Sequence, residues 1–335
     1  MKPPTRPLLA HKGFLTMKPD YRQPKLITLF LASRPQFLTA SVSPVLVGSA
    51  LGFAIAGTFN WPLFLLALFA MMALHAGANI ANDYFDHISG NDWANKNVTP
   101  FSGGRQFIQQ NILSPQATLA ASLFCLALGA SLGLVILYLT RSWFILILGL
   151  IGLLGGFFYT APPFKLGYRG VGEIAIAFLF GILPVYGSYY LQTGLIDIIP
   201  LPAACVVGIL IFLIIFINEF PDLPADAAVN KKTIVVRLGI PAGVWIYRIA
   251  VISAFIIMIA GVFVSRIMLW PVLLYFLFGL PASVAAINFA NVPDLSTPGP
   301  TQHRASAITI FFHLIGCLAL AAGFIIGSFI LRQMS

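Results

Sequence analysis

A chain of 335 residues with 59% hydrophobic and only 9% charged side chains, at a mean hydropathy of +0.92, is too apolar for a soluble globular domain. Its net charge of +9 would suit nucleic acid, but the placement of the cations, taken up below, excludes such a partner. Cys125, Cys205 and Cys317 are isolated, have no metal-ligand spacing, and are expected to be apolar packing residues without a disulfide.

Residues 1–36 carry seven basic side chains and many prolines, with no apolar run and cleavage site of the signal-peptide kind. They are expected to form a basic cytoplasmic tail attracted to anionic headgroups, with Met17 as an alternative start. Residues 37–335 are expected to form one membrane domain. Nine windows approach the roughly 20 apolar residues that span a bilayer: 38–58, 61–83, 116–139, 143–161, 171–192, 198–219, 241–264, 268–290 and 307–331. The alternation of outer-membrane strands is missing. The expected class is therefore an all-α polytopic membrane protein of nine transmembrane helices.

With nine spans, the side that includes the N-terminus collects 15 of the 19 Lys and Arg residues. By the positive-inside rule that side is cytoplasmic, and the C-terminus lies opposite. The cations thus set topology rather than grip a nucleic acid.

The second span closes on NIANDYFDHISGND (79–92), and the sixth closes on NEFPDLPAD (218–226). Asn82, Asp83 and Asp86 recur as Asn218, Glu219 and Asp222 at one offset of 136 residues, and six of the ten carboxylates fall in these two stretches. Acids at the ends of membrane helices are costly and mark function. Asn79, Asn82 or Asp83, and Asp86 recur at three- and four-residue steps and so share a helix face, with Asp92 beyond the Gly90 turn. In the second motif Asn218, Asp222 and Asp226 would align on a continuous helix, but Pro221 and Pro224 favour a broken turn.

Between the motifs, residues 87–115 form the longest connection and contain TPFSGGRQF, whose Gly103 and Gly104 permit backbone amides near an anion beside Arg105. Small-xxx-small pairs, Gly129/Gly133 and Gly152/Gly156, predict close helix contacts. The fourth span runs into YTAPPFKLGYRGVGE, placing Lys165 and Arg169 on the cytoplasmic side. KKTIVVRLG brings Lys231, Lys232 and Arg237 near the second acidic motif. His313 reads as a hydrogen-bonded core residue.

Two acidic clusters interleaved with cations suit a divalent metal and a diphosphate. Mg²⁺ takes one or two carboxylates, several waters and phosphate oxygens. Metal and cations would stabilise the charge growing on a departing pyrophosphate, while an apolar, aromatic-rich bundle shelters the allyl cation left behind.

NDYFDHISGND, YTAPPFKLGYRGVGE and NEFPDLPADAAVNKKTIVVRLG resemble the UbiA superfamily of intramembrane prenyltransferases, in order and over residues 30–331. The resemblance implies nine helices around a central cavity, cytoplasmic cap loops and Mg²⁺ as cofactor. Carried over by position, Asn82, Asp86, Asp92, Asp222 and Asp226 would hold metal and diphosphate, with Asp83, Asn218 and Glu219 as further candidates. Arg105, Lys165, Arg169, Lys231 and Lys232 would contact the diphosphate. Asp86, Asp222 and Tyr159 would be catalytic, and Asn79 and Tyr159 would face the acceptor. Phe220 and Pro221 stand where many members have an arginine before the aspartate.

Within the superfamily the chain is most similar to the branch acting on 1,4-dihydroxy-2-naphthoate in menaquinone synthesis. The implied partners are a polyprenyl diphosphate, an aromatic acceptor and membrane lipid. Other acceptors are 4-hydroxybenzoate, a homogentisate-type ring or a glycerol-phosphate lipid. A secondary transporter is the alternative from another class, since repeats and broken helices are typical there, although its sites usually lie at the midplane. Prenyl chain length and oligomeric state leave no signature in the sequence.

Overall fold

The computed structural model describes residues 26–290 and 299–334, together with 295 and 297; most of the expected basic tail, including Met17, lies outside the described residues. Helix makes up 81% of the described residues, and no strand occurs among them. A short helix α1 (Leu26–Ala32) leads through a 3-10 turn into α2 (Thr39–Ala56). There follow α3 (Trp61–Ser89), the single turn α4 (Asn91–Ala94), α5 (Pro115–Thr140) and α6 (Trp143–Phe158). The second half consists of α7 (Gly172–Thr193), α8 (Leu201–Ala228), α9 (Ile234–Val264), α10 (Arg266–Asn288) and α11 (Pro300–Met334).

Eight of these, counting α2 with its leading turn, are long and apolar enough to cross a bilayer. The fourth expected span, 143–161, is the exception. Its helix α6 has 16 residues, about 24 Å at 1.5 Å per residue, short of a hydrocarbon core of about 30 Å. Nine full spans are therefore not confirmed.

Helix starts follow local chemistry. Asn60, Ser114, Ser142 and Thr233 each accept a hydrogen bond from a backbone N–H three residues on, capping α3, α5, α6 and α9. Up to Ile217, helix α8 is apolar on all sides and accordingly lies at the centre of the bundle, with Val206, Val207, Leu210, Leu213 and Phe216 sealed from solvent. Where α7 crosses it, a methyl on Gly181 would sit 2.4 Å from the Gly208 Cα, so only glycine permits that approach.

The prolines of the second motif do not break the chain. Helix α8 continues through Pro221 and Pro224 to Ala228, correcting the expected broken turn. Phe220, Pro221 and Ala225 are all buried, so packing outweighs the lost backbone bonds and keeps Asn218, Asp222 and Asp226 in register on one face. The small-residue pairs behave unequally. A methyl on Gly129 would lie 2.7 Å from Leu74, a real close contact, whereas Gly133 has open space and Gly152 and Gly156 have no neighbour closer than 3.7 Å. These three border a cavity instead. His313 is fully buried with neither ring nitrogen bonded, unlike the hydrogen-bonded residue expected. The three cysteines are free.

Candidate active site

Both acidic motifs open onto one cavity lined also by the turn after α1, by α4 and by the segments that follow α6 and α8. The cavity has a volume of about 1130 Å³, its mouth included. On α3, Asn79, Asn82 and Asp86 line it from one helix face, as the spacing predicts. On α8, Asn218, Glu219, Asp222 and Asp226 line it from the other side, and Asp92 joins from α4.

The first motif's loop closes over the second motif's acids. Asn91 Nδ2 donates to Asp226 Oδ1 (2.9 Å) and Asn95 Nδ2 to Asp222 Oδ1 (2.8 Å). The Gly103 amide donates to the other Asp222 oxygen at 3.2 Å. Gly103 and Gly104 have φ of +78° and +68°, and a methyl on Gly104 would press to 3.2 Å from both Asp83 and Asp92. The glycine pair is thus required for conformation and for space.

Asp86 accepts from Tyr168 Oη (2.7 Å) and from Asn82 Nδ2 (3.0 Å). Lys231 lies between the motifs, 3.3 Å from Asp226 and 3.9 Å from Asp86. Burial opposes its charge, but Asp226 and Asp86 more than offset this and hold the ammonium well above its usual range. Asp92 shows the reverse imbalance: burial, then the like charges of Asp86 and Asp83, push its carboxyl up to about 9.

Tyr159 lines the cavity at the end of α6. Its phenol fits a slot left by two glycines: methyls on Gly167 and Gly172 would fall 2.9 Å from its Cζ and 3.2 Å from its Oη. The GYRGVGE stretch therefore places this ring. Glu173 of that stretch is buried beneath it, accepting from the Ile234 amide at 2.6 Å.

Of the cations read from sequence, Lys231 alone reaches the cavity wall. Lys232 and Arg169 are exposed, and Arg169 donates to the Pro163 carbonyl. Lys165 lies over the Tyr168 ring, 5.3 Å from its centre, and Arg105 donates to Gln36. Asp83 lies behind the wall, paired with Arg34. Arg34 itself, counted in the tail, lines the cavity, as does His75; so sequence reasoning missed both. For Arg34 a signal existed, its position directly before the first span in SRPQF.

No three carboxylate, histidine or cysteine groups gather tightly enough to enclose a metal among the described residues. That arrangement still fits Mg²⁺, which needs one or two protein carboxylates and completes its shell with water and phosphate oxygens. The donor set is all oxygen, and Asp86 and Asp83 add like charge to the burial that raises the Asp92 carboxyl. A second, apolar cavity of about 1460 Å³, its open mouth included, adjoins the first through Ala78, Gly156 and Phe180. It runs between α3, α5, α6 and α7, past Gly133, Gly149 and Gly152.

The profile of the UbiA prenyltransferase family matches residues 41–315. The chain belongs to that family. It is thus an enzyme that transfers prenyl groups. Among its relatives, the 1,4-dihydroxy-2-naphthoate octaprenyltransferase of Mycobacterium tuberculosis is 33% identical over 232 residues, 68% of this chain and 77% of that one. The 2-carboxy-1,4-naphthoquinone phytyltransferase of Synechocystis is 29% identical over 299 residues, covering 88% and 92%. A UbiA homologue from Archaeoglobus fulgidus, solved bound to GPP and Mg²⁺, superposes with a TM-score of 0.67 at 18% identity over 88% of this chain and 98% of that one. The family fold is thereby shared, and the chain is an integral membrane protein.

Proposed function

We propose that the protein transfers a polyprenyl group from an allylic diphosphate to 1,4-dihydroxy-2-naphthoate, with Mg²⁺ as cofactor, at the cytoplasmic face of the cytoplasmic membrane. One observation carries the reading. Acids from two motifs 136 residues apart meet around Lys231, directly above an apolar cavity between helices. A diphosphate headgroup suits the polar half, and a prenyl chain suits the apolar half. The naphthoate acceptor rests on the relatives so named.

Asp86, Asp92, Asp222 and Asp226, with Asn82 and Asn218, would hold the metal. When bound, it neutralises charge on the diphosphate oxygens and stabilises the leaving pyrophosphate. Lys231 swings from its carboxylates to the diphosphate, sharing that load as the C–O bond lengthens. Tyr168 and Asn82 orient Asp86, and Asn95 and the Gly103 amide orient Asp222. Tyr159, rimming the cavity, presents a ring face to the allyl cation, and Phe180, Ile211 and Ile214 exclude water from it. The ring carbon of the acceptor attacks, and its carboxylate leaves as carbon dioxide, returning the electron pair that rearomatises the ring.

The test uses purified protein in lipid nanodiscs, a polyprenyl diphosphate, a panel of acceptors, and Mg²⁺ or a chelator. Naphthoate prenylation that the chelator abolishes is expected. Coupling to 4-hydroxybenzoate in place of the naphthoate would overturn the acceptor, and turnover in chelator would overturn the metal.

A further inference from the structure

Arg34 is the second cation in the cavity wall, and diphosphate chemistry leaves it without a task. It sits in the left-handed region (φ 55°) between α1 and α2, and its side chain is only 17% exposed. Nη2 donates to Asn82 Oδ1 at 3.0 Å and pairs with Asp83. Nε is buried and meets no acceptor, and Nη1 forms no bond among the described residues. Asp83 thus fixes one corner of the guanidinium and leaves the rest of a planar donor fork unused.

The walls beside that fork differ from those around Lys231. Phe37, in the 3-10 turn before α2, and Ala40, at the start of α2, border the cavity, as does Phe180 from α7. His75 packs its ring edge-on to Phe180 with centroids 4.7 Å apart. Its Nδ1 bonds to Ser41 Oγ, so Nε2 is left for a ligand. Asn82, Asn79 and His75 follow one another at three- and four-residue steps, leading away from Asp86 by about 5 Å per turn. The result is a slot with an unfilled guanidinium at one end, an imidazole along its side, and aromatic and aliphatic walls between. A flat ring bearing a carboxylate and hydroxyls has that pattern of polarity.

We propose that Arg34 binds the carboxylate of the aromatic acceptor, with His75 Nε2 hydrogen-bonding a ring hydroxyl. The assignment rests on the naphthoate reading above and deepens it. Arg–carboxylate forks are planar and two-pronged, so Arg34 sets the ring's orientation as well as its affinity. Asp83 is then a positioning residue, holding the guanidinium towards the slot. The two cations divide the substrates: Lys231 serves the diphosphate and Arg34 the acceptor.

The experiment compares wild type, R34Q and R34K in nanodiscs with Mg²⁺, geranylgeranyl diphosphate, and either 1,4-dihydroxy-2-naphthoate or 1,4-dihydroxynaphthalene, which lacks the carboxylate. R34Q should raise the naphthoate KM about 10- to 100-fold and leave the diphosphate KM within roughly twofold, as loss of charge-assisted hydrogen bonds to one substrate requires. It should also abolish the wild-type preference for the carboxylated ring. R34K, which keeps the charge without the fork, should show a smaller rise, and it carries the test if R34Q fails to fold. A rise confined to the diphosphate KM would make Arg34 a diphosphate ligand and overturn the assignment; so would an unchanged naphthoate KM in either variant. Wild-type protein that ignores the naphthoate would overturn the proposed function, and this assignment with it.

Discussion

Lys231 offers the sharpest test of the electrostatics. Replacing it with methionine keeps the length and apolar stem but leaves Asp226 and Asp86, at 3.3 and 3.9 Å from the missing ammonium, facing a buried cavity without their counter-ion. Breaking a buried ion pair from one side costs about 3–5 kcal/mol, with uptake of a proton by the orphaned carboxylates limiting the loss. A divalent cation placed among the same oxygens replaces the lost charge. Thermal unfolding in detergent should therefore show K231M well below wild type in chelator, with the gap narrowing as Mg²⁺ is added. Magnesium should thus stabilise the variant more than the parent. Equal melting of the two proteins in chelator, or an equal Mg²⁺ increment in both, would refute the idea that lysine and metal answer the same negative charge.

Other outcomes follow from the same geometry. Asp86→Asn and Asp222→Asn keep an oxygen for Tyr168 and Asn95 to bond, so both should fold, yet each should lose about 100-fold or more in kcat/KM, equivalent to about 3 kcal/mol of charge-assisted contact; near-normal turnover would remove them from the chemistry. Because Asp92 is pushed up to about 9 and a metal displaces its proton, Mg²⁺ affinity by calorimetry should climb with pH towards that value and binding at pH 7 should release protons; a flat profile counts against it. Gly133→Leu adds bulk where the glycine has open space, so the protein should fold and accept geranyl diphosphate but discriminate against the longest prenyl donors. Equal rates across donor lengths would show that the chain lies elsewhere. A thiol placed by Lys96→Cys, exposed on the loop after α4, should react with an impermeant maleimide only from the cytoplasmic side, and one placed by Arg141→Cys only from the other.

The membrane class, the two acidic motifs and their meeting were legible because each depends on local pattern: hydropathy over about 20 residues, and a repeated spacing of Asn and Asp. What escaped depends on three-dimensional context. Proline propensity argued against a continuous α8, but burial of Phe220 and Ala225 decides the matter, and no sequence pattern states that burial. Arg34 sits among basic residues that resemble a topology signal, and only the fold shows that its guanidinium turns inward onto Asn82 and Asp83. Arg105, Lys165, Arg169 and Lys232 carry the same charge at the same membrane face and stay outside the cavity wall. The helix α6 illustrates a limit of hydropathy: window 143–161 is apolar enough, but its helix stops at Phe158, and the next residue, Tyr159, enters the glycine slot.

The tethers from Asn91, Asn95 and Gly103 have a wider consequence. Each takes one lone pair of an acid on α8 and leaves the remainder pointing inward. The cover of the reaction chamber and the grip on its contents therefore hang on the same oxygens. Under the proposed function, lifting the cover would unlatch those acids, so spent pyrophosphate would be loosened by the motion that lets it out, and an enzyme standing open would hold its ion poorly.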